Sequence, residues 1–334
     1  MIDFALPSAL EAHEPPARRD GVRLLVSAPG SVAHHAFDEL PSLLRPGDLL
    51  VVNDSATLPA AVRIDRLAVH FSTPAPGTDG LWLVELRRRN GKASVPFPGG
   101  TPGEWFPMPG GATLTLVRRE TPRLWQARLS VPVVPYLRAH GTAIRYGYVP
   151  RDWPISAYQT VFARPGAEEA SAEMPSAARP FTEALVTRLV AAGILIAPIT
   201  LHTGVASPEA HEPPYAERFS VPAATAALVG HVRSSGGRVI AVGTTAVRAL
   251  ETAVNDAGTV RAAAGWTSRV VRPEDGVKAV DGLLTGLHEP RSSHLMMLTA
   301  IAGEEVLTAA YEAALAERYL WHEFGDLNLI LTRP

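Results

Sequence analysis

The stretch from Gly236 to Glu251, GGRVIAVGTTAVRALE, constrains the fold of this chain more than any other. Val239, Ile240, Ala241 and Val242 form a short apolar run, rich in β-branched residues and with no polar side to offer water, which reads as a buried strand. Gly243 permits a tight turn or a close backbone approach, and Thr244 and Thr245 lead into Ala246–Glu251, whose residues suit a helix. A buried strand that feeds a helix is an α/β unit. If Thr244 or Thr245 is the N-cap, its hydroxyl and the first free backbone N–H groups converge on one point, where an anionic or electron-rich ligand atom can sit. Threonines that only cap a helix leave the same trace, and the stretch alone does not separate the two readings.

Other segments repeat the α/β theme. Leu49–Val52 follows the turn residues Pro46, Gly47 and Asp48 and reads as a strand, with Asn53, Asp54 and Ser55 at its carboxyl end, the edge where α/β folds collect ligands. Asn53 and Asp54 serve equally well in an Asx turn. Tyr158–Ala163 is expected to be a short strand, Phe181–Ala192 a helix capped near Thr182, and Ile194–Leu201 a buried strand. His202 follows that strand at once. Such a histidine can donate a hydrogen bond or shuttle a proton, or be a satisfied structural side chain. Val280–Leu298 brings Asp281, a candidate general base or ribose-hydroxyl acceptor, and Ser292 and Ser293, candidate helix caps. Ile301–Tyr319 reads as one helix, and a last apolar strand follows Gly325 and Asp326.

Between Arg63 and about residue 140 the texture is different. Leu81–Leu86, Ala112–Val117 and Leu124–Leu129 are β-rich and are separated by Pro and Gly clusters, which predicts an inserted, smaller all-β domain over residues 62–140. The basic groups Arg87, Arg88, Arg89 and Lys92, and Arg118, Arg119, Arg123 and Arg128, suit either phosphate contact or the protection of sheet edges. Arg18, Arg19 and Arg23 around Asp20 suit either the holding of a phosphate or carboxylate or a solvated ion cluster worth little stability.

Composition excludes several chemistries. The 334 residues contain no cysteine, so disulfides, thiolate zinc sites and cysteine nucleophiles are ruled out. A formal charge of −2 gives no general attraction to polyanions, and a nucleic-acid partner would need a local basic patch. There is no P-loop, no Gly-rich dinucleotide fingerprint, no His-Glu-x-x-His and no Gly-x-Ser-x-Gly elbow, so kinase, dehydrogenase, zinc-protease and serine-hydrolase readings start low. Without an evident secretory signal or an apolar span of about 20 residues, a cytoplasmic location with no membrane association is the expectation.

Taken together, RDGVRLLV (Arg19–Val26), LRPGDLLVVNDSATLPA (Leu44–Ala60), YQTVFA (Tyr158–Ala163), GGRVIAVGTTAVRALE, VDGLLTGLHEPRSS (Val280–Ser293) and YLWHEFGDLNLIL (Tyr319–Leu331) resemble, in order and over nearly the whole chain, the S-adenosylmethionine:tRNA ribosyltransferase-isomerase family of queuosine biosynthesis. The resemblance implies a barrel-like α/β large domain, residues 1–61 and 141–334, with a small β-barrel domain inserted over 62–140. It implies S-adenosylmethionine as co-substrate, tRNA as partner and no metal; a monomer is expected. The chemistry requires a base for the C5′ hydrogen beside the sulfonium and polar groups that orient the ribose. Asp281 and His202 are the candidates for proton transfer, Thr244, Thr245 and Arg248 for holding the donor, and Asn53 and Asp54 for the pocket wall.

The chain departs from the family pattern in places. PSAARPFT (Pro175–Thr182) stands where the family has PTAGLHFT, so Pro180 replaces a histidine and Arg179 a leucine. LHTGVASP (Leu201–Pro208) replaces LHVGLGTF, and GDLNLI replaces GDAMLI. Proline neither donates a hydrogen bond nor transfers a proton. Two further classes therefore predict different outcomes: an enzyme of the same donor with a non-tRNA acceptor turns over without RNA, and a non-catalytic RNA-binding protein binds tRNA without consuming the donor.

Overall fold

The computed structural model describes residues 3–90, 93–164, 166, 169–205, 215–290 and 292–332, and statements of number or absence below concern these. The strands are β1 (Arg23–Ala28), β2 (Ser31–Ala36), β3 (Leu49–Asn53), β4 (Ala61–Ile64), β5 (Leu67–Pro74), β6 (Trp82–Asn90), β7 (Ala93–Pro96), β8 (Trp105–Pro107), β9 (Thr113–Arg119), β10 (Leu124–Leu129), β11 (Leu195–His202), β12 (Glu217–Val221), β13 (Val239–Val242), β14 (Ala263–Thr267), β15 (Gly282–Gly286) and β16 (Leu327–Leu331). The α-helices are α1 (Leu40–Leu43), α2 (Val133–His140), α3 (Glu183–Ala191), α4 (Ala223–Ser234), α5 (Thr244–Ala253), α6 (Ser293–Ala302) and α7 (Glu304–Ala316).

A mixed nine-stranded sheet runs in the order β14-β12-β11-β3-β13-β15-β16-β1-β2, as an open ladder. Its centre is apolar throughout because both faces are covered: every residue of β3, β13, β15 and β16 is buried. The period of two then divides the side chains between two cores. Leu49, Val51, Val239, Ala241 and Leu283 pack with Val229, Val247, Leu250 and Leu307 of α4, α5 and α7. Leu50, Val52, Ile240, Val242 and Leu284 pack on the opposite face with Phe37, Phe181, Leu185 and Leu189.

Strand polarity decides which loops meet. β11 and β13 lie parallel to β3, and β15 is parallel to β13, so their carboxyl ends share one edge. Because β12 is antiparallel to β11 and β16 to β15, the amino ends of β12 and β16 join that edge.

Consecutive strands β4 to β10 build a separate antiparallel sheet of seven strands. It has its own core around Val69, Phe71, Val84, Leu86, Leu114, Leu116 and Trp125. Much of its basic character is neutralised internally: Arg87 and Arg123 both reach Glu85, and Arg118 pairs with Glu120. Arg119 lies over the Trp125 ring at 4.4 Å and donates to the Pro98, Gly99 and Pro122 carbonyls. Lys92 lies outside the described residues.

Several local expectations are corrected. Tyr158–Ala163 is not a strand; Tyr158 ends a 3-10 turn, and Gln159 uses its side-chain amide to bond both backbone groups of Thr57, at 2.9 and 2.7 Å, where a strand would have used backbone. Thr244 and Thr245 do not cap α5. Gly243 occupies the N-cap with φ 88°, ψ 154°, a conformation open to glycine, and both threonines lie in the first helical turn. The helix expected over Ile301–Tyr319 is the shorter α7, Glu304–Ala316, because Gly303, with φ 78°, separates it from α6. Among the N-terminal arginines, Arg23 makes an ion pair with buried Asp326 and Arg19 donates to the carbonyls of Ser156, Gln159 and Arg179. Both side chains are thus engaged by groups of the protein itself.

Candidate active site

The carboxyl edge of the large sheet gathers polar groups in two connected places. The first is centred on His202, the last residue of β11. Its Nδ1 shares a 2.8 Å hydrogen bond with Ser55 Oγ, which also bonds Ser171 Oγ at 2.7 Å. Its Nε2 lies 3.6 Å from Glu169 Oε2. Burial, with Arg218 adding, pushes the His202 pKa down to about 4, so the imidazole is neutral at physiological pH and retains a lone pair. Asp54 stands beside it, accepting from Thr200 Oγ1 at 2.6 Å, with Arg164 Nε 3.8 Å from its other oxygen. Asp54, Ser55, Arg164, Glu169, Thr200, His202 and Arg218 line a cleft of about 320 Å³.

The second place is the start of α5. Arg248 is 9% exposed and its Nη1 pairs with Glu217, at the amino end of β12. Its Nε donates to Arg269 O at 3.1 Å, while Nη2 is buried with no hydrogen-bond partner. A buried guanidinium nitrogen without an acceptor is expensive unless something supplies one. Close to this end of the sheet, Thr285 Oγ1 bonds His288 Nε2 at 2.8 Å, and the His288 and His294 rings stack with centroids 4.4 Å apart. Burial, reinforced by Arg248, lowers His294 to about 4.

Asn53 and Glu217 join the two places. Asn53 Nδ2 donates to Leu201 O at 2.8 Å and to Thr245 Oγ1 at 3.3 Å, while its Oδ1 accepts from the Leu201 and Ser55 N–H groups. Its hydrogen-bonding capacity is thus spent on bracing β3, β11 and α5. Glu217 accepts from Gly204 N at 2.9 Å as well as from Arg248, so the His202 loop and α5 share one carboxylate.

Asp281 does not belong to this constellation. It precedes β15, at the opposite edge of the sheet, where its Oδ2 accepts from Val239 N at 3.0 Å beside the start of β13. The buried pair Asp48–Arg238 occupies that same amino edge, with Arg238 Nη2 2.6 Å from Asp48 Oδ2. Parallel pairing of β13 and β15 therefore separates Asp281 from Thr244 by the length of a strand. The sequence brings both into apolar segments ending in polar residues, but not the direction of those segments relative to each other.

Ser55, expected beside Asn53 and Asp54, is joined at the edge by residues that were not candidates from the sequence: Ser171, Glu169, Glu217, Arg218, Thr285, His288 and His294. Thr285 and His288 stand in a matching motif and were legible there; the others are brought together by tertiary structure. The altered segment Pro175–Thr182 also lies here, since a Cβ built on Gly243 would meet Ala177 Cβ at 3.6 Å. Arg179 is buried, with its guanidinium carbon 5.3 Å from the Phe324 ring centre and its Nη1 3.3 Å from Arg19 O. Ala206, Ser207 and Pro208 of the altered loop lie outside the described residues, as do His211 and Glu212. A larger open groove of about 660 Å³, lined by Pro15, Pro16, Arg19, Arg151, Trp153 and Pro154, contains none of the candidates for proton transfer, donor binding or the pocket wall.

Comparison with known proteins places these features in a family. A family model described as queuosine biosynthesis protein matches residues 1–330. The chain is 36% identical to an S-adenosylmethionine:tRNA ribosyltransferase-isomerase of Symbiobacterium thermophilum, over 99% of this chain and 98% of that protein. It is 38% identical to the protein of the same name from Anaeromyxobacter sp. strain Fw109-5, over 98% and 97% respectively. The crystal structure of S-adenosylmethionine tRNA ribosyltransferase from Thermotoga maritima aligns with a TM-score of 0.55 and 27% identity, covering 98% of this chain and 99% of that one. By sequence from end to end and by its mixed α/β fold, this chain belongs to the queuosine biosynthesis family of S-adenosylmethionine:tRNA ribosyltransferase-isomerases.

Proposed function

We propose that the chain transfers and isomerises the ribosyl moiety of S-adenosylmethionine onto the 7-aminomethyl-7-deazaguanine base at the tRNA wobble position, giving epoxyqueuosine with release of adenine and methionine. The observation that carries this reading is the end-to-end similarity to relatives of that name. S-adenosylmethionine is consumed as a co-substrate, tRNA is the acceptor, and the reading requires no metal.

The roles follow from the chemistry of each group. His202 takes the C5′ proton that the neighbouring sulfonium acidifies, using Nε2 because Nδ1 is engaged by Ser55. Glu169, 3.6 Å from Nε2, stabilises the imidazolium that results. Arg248 Nη2 suits the methionine carboxylate, since a buried donor without a partner is matched by an anion. Thr244 and Thr245, in the first turn of α5, hold the donor against that helix end, and Asn53 keeps Thr245 in place. Asp54, with Thr200, orients a ribose hydroxyl. Asp281 takes no part in proton transfer in this reading.

The domain organisation belongs to the same proposal: residues 62–140 form an inserted β-barrel domain, and 1–61 with 141–334 form the barrel-like catalytic domain. The contiguous β4–β10 sheet with its own core supports that division. A monomer working in the cytoplasm completes the reading; among the described residues no helix is long and apolar enough to cross a membrane. The test is incubation with S-adenosylmethionine, with and without tRNA bearing the aminomethyl-deazaguanine, followed by mass analysis. RNA-dependent appearance of adenine, methionine and the modified nucleoside is expected; folded protein that yields none of them refutes the assignment.

A further inference from the structure

The turn Tyr146–Val149, closed by a 3.1 Å bond from Val149 N to Tyr146 O, sets Tyr146 and Tyr148 side by side. Their ring centroids are 5.7 Å apart with 17° between the planes. Tyr148 stacks in turn on His322, at 3.8 Å and 9°. The result is an aromatic ladder whose inner end, His322, is enclosed and whose outer ring, Tyr146, is 36% exposed.

This ladder is firmly mounted. Arg145 clamps the turn, donating to Val149 O and to Asp152 Oδ1, each at 2.7 Å. The Tyr148 hydroxyl donates to Glu323 and the Tyr146 hydroxyl to Glu173. From Glu173 a chain of hydrogen bonds leads to the candidate base. Thr203 Oγ1 donates to Glu173 O at 2.7 Å, Thr203 N donates to Ser171 Oγ at 3.0 Å, and Ser171 is joined through Ser55 to His202.

A lone exposed tyrosine is ordinary. A tyrosine held flat by a second ring behind it, its hydroxyl fixed by Glu173, whose backbone is bonded to Thr203 one residue beyond His202, presents a preorganised π-face of the kind on which flat heterocycles stack. We infer that Tyr146 is the stacking platform for a purine-type ring of the substrate and thereby a specificity-determining residue. The inference rests on the proposed reaction, which brings two such rings to this edge: the adenine of the donor and the deazaguanine of the acceptor. Both offer the same stacking chemistry.

Binding to Tyr146→Ala, Tyr146→Leu and Tyr146→Phe separates them. Titration calorimetry is done with S-adenosylmethionine in one arm and, in the other, with a tRNA anticodon stem-loop bearing the aminomethyl-deazaguanine. Loss of the π-face weakens the affected probe by roughly tenfold to a hundredfold in both the Ala and Leu variants, whereas Phe, which keeps the ring, stays within about threefold of wild type. The arm that responds names the base. Melting temperatures close to that of wild type establish that the variants are folded, and Leu retains apolar bulk should Ala not fold. Unchanged affinity for both probes, a loss in Phe equal to that in Ala, or a wild type that binds neither probe overturns the inference. Failure of the proposed reaction shows itself separately, as a wild type that binds a probe but releases no adenine.

Discussion

Removing Arg248 tests whether the corner that opens α5 holds the donor or only holds the fold. Arg248→Met deletes the partner of Glu217 and the 3.1 Å bond to Arg269 O. It leaves a buried carboxylate whose remaining described donor is Gly204 N. Breaking a buried ion pair from one side costs about 3–5 kcal/mol, so a marked fall in the midpoint of urea unfolding is expected. Glu217→Gln in the same chain removes the stranded charge and should recover a large part of that loss, because two neutral groups carry no unpaired ion. Donor affinity should behave differently. A charge-assisted bond from Nη2 to the methionine carboxylate is worth about 1.5–3 kcal/mol, or roughly a 10- to 150-fold weakening of S-adenosylmethionine binding, and Glu217→Gln cannot restore it. The assay is therefore paired: urea denaturation for stability and titration calorimetry for binding, on the single and double variants. A double variant that regains donor affinity along with stability refutes a direct role for Arg248.

Three more outcomes follow from the same geometry. His202, held neutral by burial, has a folded pKa of about 4 against an unfolded value near 6.5, so its contribution to stability is complete above about pH 6.5 and is lost as pH falls from there to about 4. Histidine-selective NMR titration should find that low midpoint, and Arg218→Gln, which removes a repelling charge, should raise it; no movement refutes the electrostatic account. Asp281→Asn should leave turnover within about twofold of wild type, because the amide oxygen can still accept from Val239 N and the side chain stands at the far edge of the sheet. A collapse in kcat would restore the base assignment. Gly243→Ala meets Ala177 Cβ and Thr245 Oγ1 only at an ordinary contact distance of 3.6 Å but forces a side chain into φ 88°, ψ 154°, which should cost about 1–3 kcal/mol and weaken donor binding by displacing the first turn of α5; an unfolding midpoint equal to that of wild type argues against strain there.

Much of this molecule is written locally. Val239–Val242 is a strand because nothing in it can face water, and Glu183–Ala191 is a helix whose first turn is closed by Thr182 Oγ1 accepting from Leu185 N at 3.1 Å. The β-rich segments after Arg63 likewise foretold β6, β9 and β10, but not β4, β5, β7 or β8. His202, Asn53 and Asp54 were legible as polar residues closing buried strands, and Arg248 through the motif around it. Tertiary structure decided what those signals share. Strand direction put Asp281 at one edge and His202 with Thr244 at the other, since parallel register is set by pairing between segments far apart in sequence. The exchange of a threonine cap for Gly243 went with the φ 88°, ψ 154° that the chain takes between β13 and α5, and the partners Glu217, Ser171 and Glu169 came from distant elements that no local period links. Periodicity records whether a side chain faces water or core; which buried polar groups meet at one edge is settled only when the strands choose their neighbours.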